Sequence, residues 1–171
     1  MELIKSLIRD VPDFPKPGIM FKDITPLLSN AEGFRRSIEL LSKDIDKHSV
    51  DAIVGVEARG FIFGAAVAMH MGLPFELVRK PGKLPFDKIS RSYDLEYGSD
   101  TVEMHVDAVE PGKSYAVVDD LIATGGTALA AAELIKEHKG TIGCFSFVIE
   151  LEFLKGRNRL GEHPVETLLV Y

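Results

Sequence analysis

The chain has 171 residues, 46% hydrophobic and 27% charged, and its 26 acidic against 20 basic residues leave a formal charge of −6. That is the length of one domain able to bury a full core without staples, and the composition excludes a collagen repeat, a low-complexity array and a disordered chain. The negative balance argues against non-specific nucleic-acid and anionic-membrane binding. The single Cys144 excludes an internal disulfide and a CxxC site, as a reducing compartment would require. The longest mostly apolar run, Phe61 to Met69, is far short of the roughly 20 residues of a membrane span. The first ten residues carry charges where a signal peptide has its apolar stretch. The expectation is a soluble, cytoplasmic, single-domain protein spanning 1–171.

In chain order, Leu3, Ile4, Leu7 and Ile8 recur at helical spacing and predict a helix over 2–9. Pro12, Pro15, Pro17 and Gly18 then force an extended connection, and Ile24 to Leu28 reads as a turn. Phe34, Ile38, Leu41 and Ile45 predict an amphipathic helix from Gly33 to Lys47. Buried strands are expected at 51–57, 74–78, 115–119, 141–149 and 165–170, with helices at 60–71 and 127–138. This alternation predicts an α/β fold: a parallel sheet of about five strands with helices on both faces.

Residues 79–110 interrupt the alternation. Arg79, Lys80, Lys83, Lys88 and Arg91 face only Asp87, and then Ser92 to Glu110 carries six acids and no Lys or Arg. Alternation at Val102, Met104 and Val106 predicts a strand, in a hairpin with 92–97. The basic cluster fits a solvated loop and an anion-binding loop alike.

The chemistry concentrates in Val117-Val-Asp-Asp-Leu-Ile-Ala-Thr-Gly-Gly-Thr127. A buried strand ends in two carboxylates, a small-residue loop follows, and a helix begins. In an open α/β sheet the ligand crevice lies at the carboxyl ends of the strands. Ala123, Thr124, Gly125, Gly126 and Thr127 offer backbone N–H groups, two hydroxyls and a helix N-terminus, which suit a phosphate dianion. Asp119 and Asp120 cannot serve the same anion, so they face sugar hydroxyls or a cation. The P-loop is rejected: Gly112-Lys-Ser114 supplies only its tail, with Asp107 where the first glycine belongs. No G-x-G-x-x-G occurs. His48, His70, His105, His138 and His163 lack metal-ligand spacing, and Cys144 packs within an apolar strand. Arg59, just after a buried strand, stands at the crevice edge where an anion would bind.

The eleven-residue stretch resembles the phosphoribosyl-diphosphate (PRPP) signature of type I phosphoribosyltransferases. Pro17-Gly-Ile-Met-Phe-Lys-Asp-Ile24, Gly55-Val-Glu-Ala-Arg-Gly-Phe61, Val78-Arg-Lys-Pro-Gly-Lys-Leu-Pro85, Tyr93-Asp-Leu-Glu-Tyr-Gly98 and Phe153-Leu-Lys-Gly-Arg157 are similar, in the same order, to the adenine phosphoribosyltransferase branch of that family. The resemblance covers nearly the whole chain, with one departure at Lys22, where many members carry Arg.

It implies the type I fold, with a small N-terminal hood over 1–30 and a flexible loop and hairpin over 79–107. It implies a purine-salvage transferase: adenine and PRPP give AMP and diphosphate, with Mg²⁺ bound mainly through PRPP or diphosphate rather than by a fixed protein ligand set. Ala123 to Thr127 would hold the 5′-phosphate, Asp119 and Asp120 the ribose or metal side, and Arg59, Arg79, Lys80 and Lys83 the diphosphate. Met20, Lys22 and Leu121 would contact adenine, Glu96 would be the catalytic acid, and Tyr97 would help close the loop. A homodimer is implied, with Arg79 reaching the neighbouring site. Two alternatives remain: a phosphoribosyltransferase for a 6-oxopurine or a pyrimidine, and a non-catalytic PRPP or nucleotide sensor of the same fold. The acidic balance and the lack of a spare nucleic-acid-binding region speak against the sensor.

Overall fold

The computed structural model describes residues 1–94 and 99–171. Five parallel strands form the central sheet: β3 (Ala52–Val56), β4 (Phe75–Val78), β7 (Ser114–Ile122), β8 (Thr141–Glu150) and β9 (Val165–Val170), ordered β4-β3-β7-β8-β9. Two antiparallel ribbons complete the strands: β1 (Arg9–Pro12) with β2 (Met20–Asp23), and β5 (Lys88–Asp94) with β6 (Ser99–His105). The helices are α1 (Glu2–Ser6), α2 (Thr25–Leu28), α3 (Ala31–Ile45), α4 (Gly60–Met71) and α5 (Gly126–Glu137).

Strand alternation splits the core into two layers. Ile53, Ala116, Val118 and Cys144 face α3 and α4, together with Ile4, Ile24 and Leu27 of the N-terminal segment. Val54, Val117, Phe145 and Phe147 face the other way, onto the alanine-rich side of α5 and onto Val102 and Met104 of the β5–β6 ribbon. Helices therefore cover both faces, as the alternation of elements required. Cys144 is fully buried, where burial pushes its thiol up to about 12 and leaves it inert.

Several boundaries differ from expectation. The first helix stops at Ser6, because Arg9 to Pro12 pairs with Met20 to Asp23. The proline-rich stretch is thus the turn of a ribbon, a pairing that local proline rules do not reveal. Ile24 to Leu28 holds a turn of helix with Pro26 in its first turn. The helix expected from Gly33 starts at Ala31, since the Asn30 side chain accepts the Gly33 N–H at 2.8 Å and caps it. The β5 strand begins at Lys88 rather than at 92, and residues 95–97 of the expected strand lie outside the described residues. The β7 strand continues to Ile122, so Asp119 and Asp120 lie within it rather than at its end.

Phe63 of α4 is fully buried and meets Phe34 of α3 edge to face at 5.7 Å. Phe63→Ala is expected to lower stability by about 3–5 kcal/mol, measured as a shift in the denaturant midpoint with little change in m-value.

Candidate functional site

The site forms where β7 passes the N-terminus of α5. Gly125 has φ +78°, a left-handed conformation that turns the chain from strand to helix without a Cβ penalty. Asp119 and the run from Leu121 to Ala128, with Phe147 beneath, line a cavity of about 90 Å³, room for a group several waters in size. Its lining residues Thr124, Gly125, Gly126 and Thr127 carry main-chain N–H groups and two hydroxyls, at the positive end of a twelve-residue helix.

A second segment sets the shape of this cradle. Gly156, after β8, lies so close that a Cβ on it would stand 2.1 Å from the Ala123 carbonyl oxygen. A Cβ on Gly125 would in turn meet the Gly156 carbonyl oxygen at 2.5 Å. Two glycines back to back are therefore a steric requirement. Arg157 fixes the approach. It donates to the buried Glu150 carboxylate at 3.0 and 2.6 Å and to the Val165 carbonyl at 2.6 Å. Arg157 holds Glu150 below the usual carboxylate range. The buttress was missed at the sequence level. Its signal was the Gly156-Arg157 dipeptide in a quoted motif, but contact with Gly125 is invisible along the chain.

Beside the cradle lie the paired acids. Asp120 is 4% exposed. Its Oδ2 has the Arg59 Nε at 2.9 Å, a charge partner that is not aligned as a hydrogen-bond donor. Asp119 Oδ1 accepts the Asp120 N–H at 2.8 Å and crowds against Gly60, where a Cβ would approach it to 2.8 Å. Burial, reinforced by the Asp120 charge, pushes the Asp119 carboxyl well up, and burial outweighs Arg59 at Asp120. Among the described residues, no group of three His, Cys, Asp or Glu is poised around a metal ion. Two adjacent carboxylates, with Asp120 Oδ2 lacking an aligned donor, fit a cation that brings most of its own oxygen ligands.

Arg59, Arg79 and Lys80 stand at the same edge, each on a carboxylate, and Lys83 follows them on the same loop. Arg79 donates twice to Glu57, at 3.2 Å each, and once to the Lys83 carbonyl at 3.1 Å, while the Lys80 N–H donates to Glu57 at 2.9 Å. Burial raises Glu57, but the Lys80 N–H and Arg79 outweigh it and hold its carboxyl low. The Lys80 ammonium donates to Asp100. Glu57 went unnoticed at the sequence level, although it follows a buried strand as Arg59 does.

Residues 1–30 supply α1, the β1–β2 ribbon and α2. Phe21 lies 5.4 Å under the Arg59 guanidinium and edge to face with Phe14 at 5.0 Å, which joins the ribbon to the crevice. Met20 is exposed, and Leu121 lines the cavity. The Lys22 ammonium points away from Phe21: it is 2.6 Å from Asp10 and 3.9 Å above the Tyr171 ring. Glu96 and Tyr97 lie outside the described residues.

Residues 24–164 match the family model described as the phosphoribosyl transferase domain. The chain is 54% identical to the adenine phosphoribosyltransferase of Syntrophotalea carbinolica, covering all of both chains. Its fold superposes on the crystal structure of the adenine phosphoribosyltransferase of Thermoanaerobacter pseudethanolicus with a TM-score of 0.97 at 48% identity, covering 99% of each chain. The Saccharomyces cerevisiae enzyme, solved with an imino-altritol bisphosphate and adenine, gives 0.91 at 40% identity over 98% and 97% of the two chains.

Two outcomes follow from this geometry. Asp119→Asn keeps the acceptor for the Asp120 N–H and removes one of two adjacent like charges. The Asp119 carboxyl is raised from 3.8, so its ionisation costs stability as pH climbs through the folded value, and the cost is complete above it. Asp119→Asn should raise Tm at neutral pH by a few degrees, roughly 2–4 °C per kcal/mol relieved, with the gain shrinking towards pH 4. A calorimetric pH series checks this. In Gly156→Ala the Ala123 carbonyl must retreat, at an overpacking cost of about 1–3 kcal/mol, measured by denaturant unfolding. A crystal structure should show the displacement confined to the cradle.

Proposed function

The chain belongs to the phosphoribosyltransferase family, and we propose that it transfers the 5-phosphoribosyl group of PRPP to adenine, giving AMP and diphosphate in purine salvage. The observation that carries this is the cradle: a small cavity lined by the Leu121–Ala128 turn at a helix N-terminus, set beside buried Asp120 and partly buried Asp119. The full-length relatives supply the reaction.

In the reaction the bond from ribose C1′ to the diphosphate oxygen breaks and a bond from C1′ to adenine N9 forms. The electron pair of the broken bond leaves with diphosphate, and the base, whose N9 lone pair makes the new bond, gives up its ring proton from N7. The protein must fix the sugar phosphate, accept negative charge on the leaving group and hold the base in line. In our reading Ala123 to Thr127 take the 5′-phosphate, with Thr124 and Thr127 donating hydroxyl hydrogen bonds. Asp119 and Asp120 accept from the ribose hydroxyls or stand on the metal side. Arg59, Arg79, Lys80 and Lys83 face the diphosphate. Mg²⁺, when bound, would neutralise diphosphate charge.

Phe21 offers a flat face to the base from one side and Leu121 packs from the other, with Met20 and Lys22 presenting main-chain groups to its edge. The Lys22 ammonium, engaged with Asp10 and Tyr171, is not available to a 6-oxo group. This supports adenine over hypoxanthine or guanine. Glu96 would hold the N7 side of the ring in the reactive tautomer and receive its proton, and Tyr97 would help cover the site.

Diphosphate release from PRPP, assayed with adenine, hypoxanthine, guanine and orotate in turn, tests the reading. Adenine should exceed the others by about 10⁴-fold in kcat/KM, the scale set by a mispaired polar edge, and chelation of divalent cations should abolish turnover. Equal rates with hypoxanthine would refute the base assignment; no release with any base would refute the activity.

A further inference from the structure

We propose that Tyr93 and Asp100 form a latch that competes with the two anionic ends of the substrate for Thr127 and Lys80. This rests on the reading above, in which Thr127 faces the 5′-phosphate and Lys80 the diphosphate.

Four side chains form one continuous chain across the site. The Lys80 ammonium donates to Asp100 Oδ2. The Tyr93 hydroxyl donates to the same oxygen at 3.1 Å. The Tyr93 oxygen lies 2.9 Å from Thr127 Oγ1. Asp100 Oδ1 accepts the Thr101 N–H at 2.8 Å. Lys80 holds the Asp100 carboxyl below the usual range, so the group is an acceptor only.

Proton counting then fixes the direction of the chain. A tyrosine hydroxyl has one proton, and the carboxylate takes it. Thr127 must therefore donate to the Tyr93 oxygen, and its proton points out of the cradle. To bind a phosphate oxygen, Thr127 has to turn that proton back. To bind diphosphate, Lys80 has to leave Asp100. Both donors are therefore contested by residues of the β5–β6 ribbon.

The competitor is held in place by packing. The Tyr93 ring lies against Gly126, where a Cβ would meet ring carbon Cδ2 at 3.0 Å. Arg91, on the same strand, is 2.6 Å from both Glu133 and Glu137 of α5 and clamps the ribbon to that helix. The Tyr93 hydroxyl thus sits where ring packing puts it. The contest weakens the hold on diphosphate, the product that has to leave.

The test is calorimetric titration of the full chain with magnesium diphosphate and, separately, with ribose 5-phosphate. Asp100→Asn and Asp100→Ala should each bind diphosphate roughly two- to fivefold tighter, the scale of a part-exposed ion pair no longer broken. Tyr93→Phe keeps the ring on Gly126 and should bind ribose 5-phosphate roughly two- to tenfold tighter, the scale of one hydrogen bond. The Asp100 gain should vanish in a Lys80→Ala background. A gain that persists there would mean that removing a nearby negative charge suffices, and the latch would be wrong. Unchanged or weaker binding in either single variant would also overturn it. Wild-type protein that binds neither probe would instead overturn the site reading itself.

Discussion

The arrangement depends on keeping two adjacent carboxylates, Asp120 buried and Asp119 partly so, at the ligand edge of a parallel sheet. Like charges that close repel, and burial makes each costlier to ionise. The surroundings answer in three ways. Arg59 stands 2.9 Å from Asp120. The Asp120 N–H donates to Asp119. Gly60 opens α4 without a Cβ, so the Asp119 carboxylate fits between strand and helix. An ordinary folded protein gains nothing from such a pair. A site that binds a polyhydroxylated, cation-bearing ligand does, because the ligand supplies what the acids lack.

The cradle beside the acids has the opposite electrostatic character, with donors and a helix N-terminus. The two are kept apart by shape. Gly125 turns the chain sharply, and Gly156 braces the turn from behind through main-chain contacts that leave no space for a side chain. The brace is itself secured by Arg157 on the buried Glu150. The geometry of the anion site is therefore decided partly by residues about thirty positions further along the chain.

A chain of net charge −6 that binds multiply charged anions needs its cations concentrated and controlled. Arg59, Arg79, Lys80 and Lys88 each rest on a carboxylate of the same chain: Asp120, Glu57, Asp100 and Glu103. On the proposed reading, binding an anion at Arg59, Arg79 or Lys80 is an exchange of partners, which moderates affinity and favours turnover. The ribbon that carries two of these acids packs on α5 through Val102, Met104 and the Arg91 ion pairs, so the exchange occurs against a firm surface.

Periodicity and turn chemistry made the central sheet and its helices legible, because each buried strand and each amphipathic face repeats at a local spacing. The cradle was legible for the same reason: glycines and hydroxyls between a strand and a helix act within a few residues of one another. The alternating apolar pattern also placed Cys144 inside a strand. Pairings between distant segments were not legible. Nothing local shows that Pro12 to Gly18 turns a ribbon, that Gly156 backs Gly125, that Glu57 takes Arg79, or that Tyr93 reaches Thr127. Lys22 was legible as a cation in the segment expected to face the base, but its direction, towards Asp10 and Tyr171, depends on a cross-strand partner and on the far end of the chain. Sequence alone determined which chemical groups the site possesses, since composition and spacing are properties of the chain. Tertiary structure alone decided which charges meet, because hydrogen bonds and ion pairs act over a few ångströms in space whatever their separation in sequence.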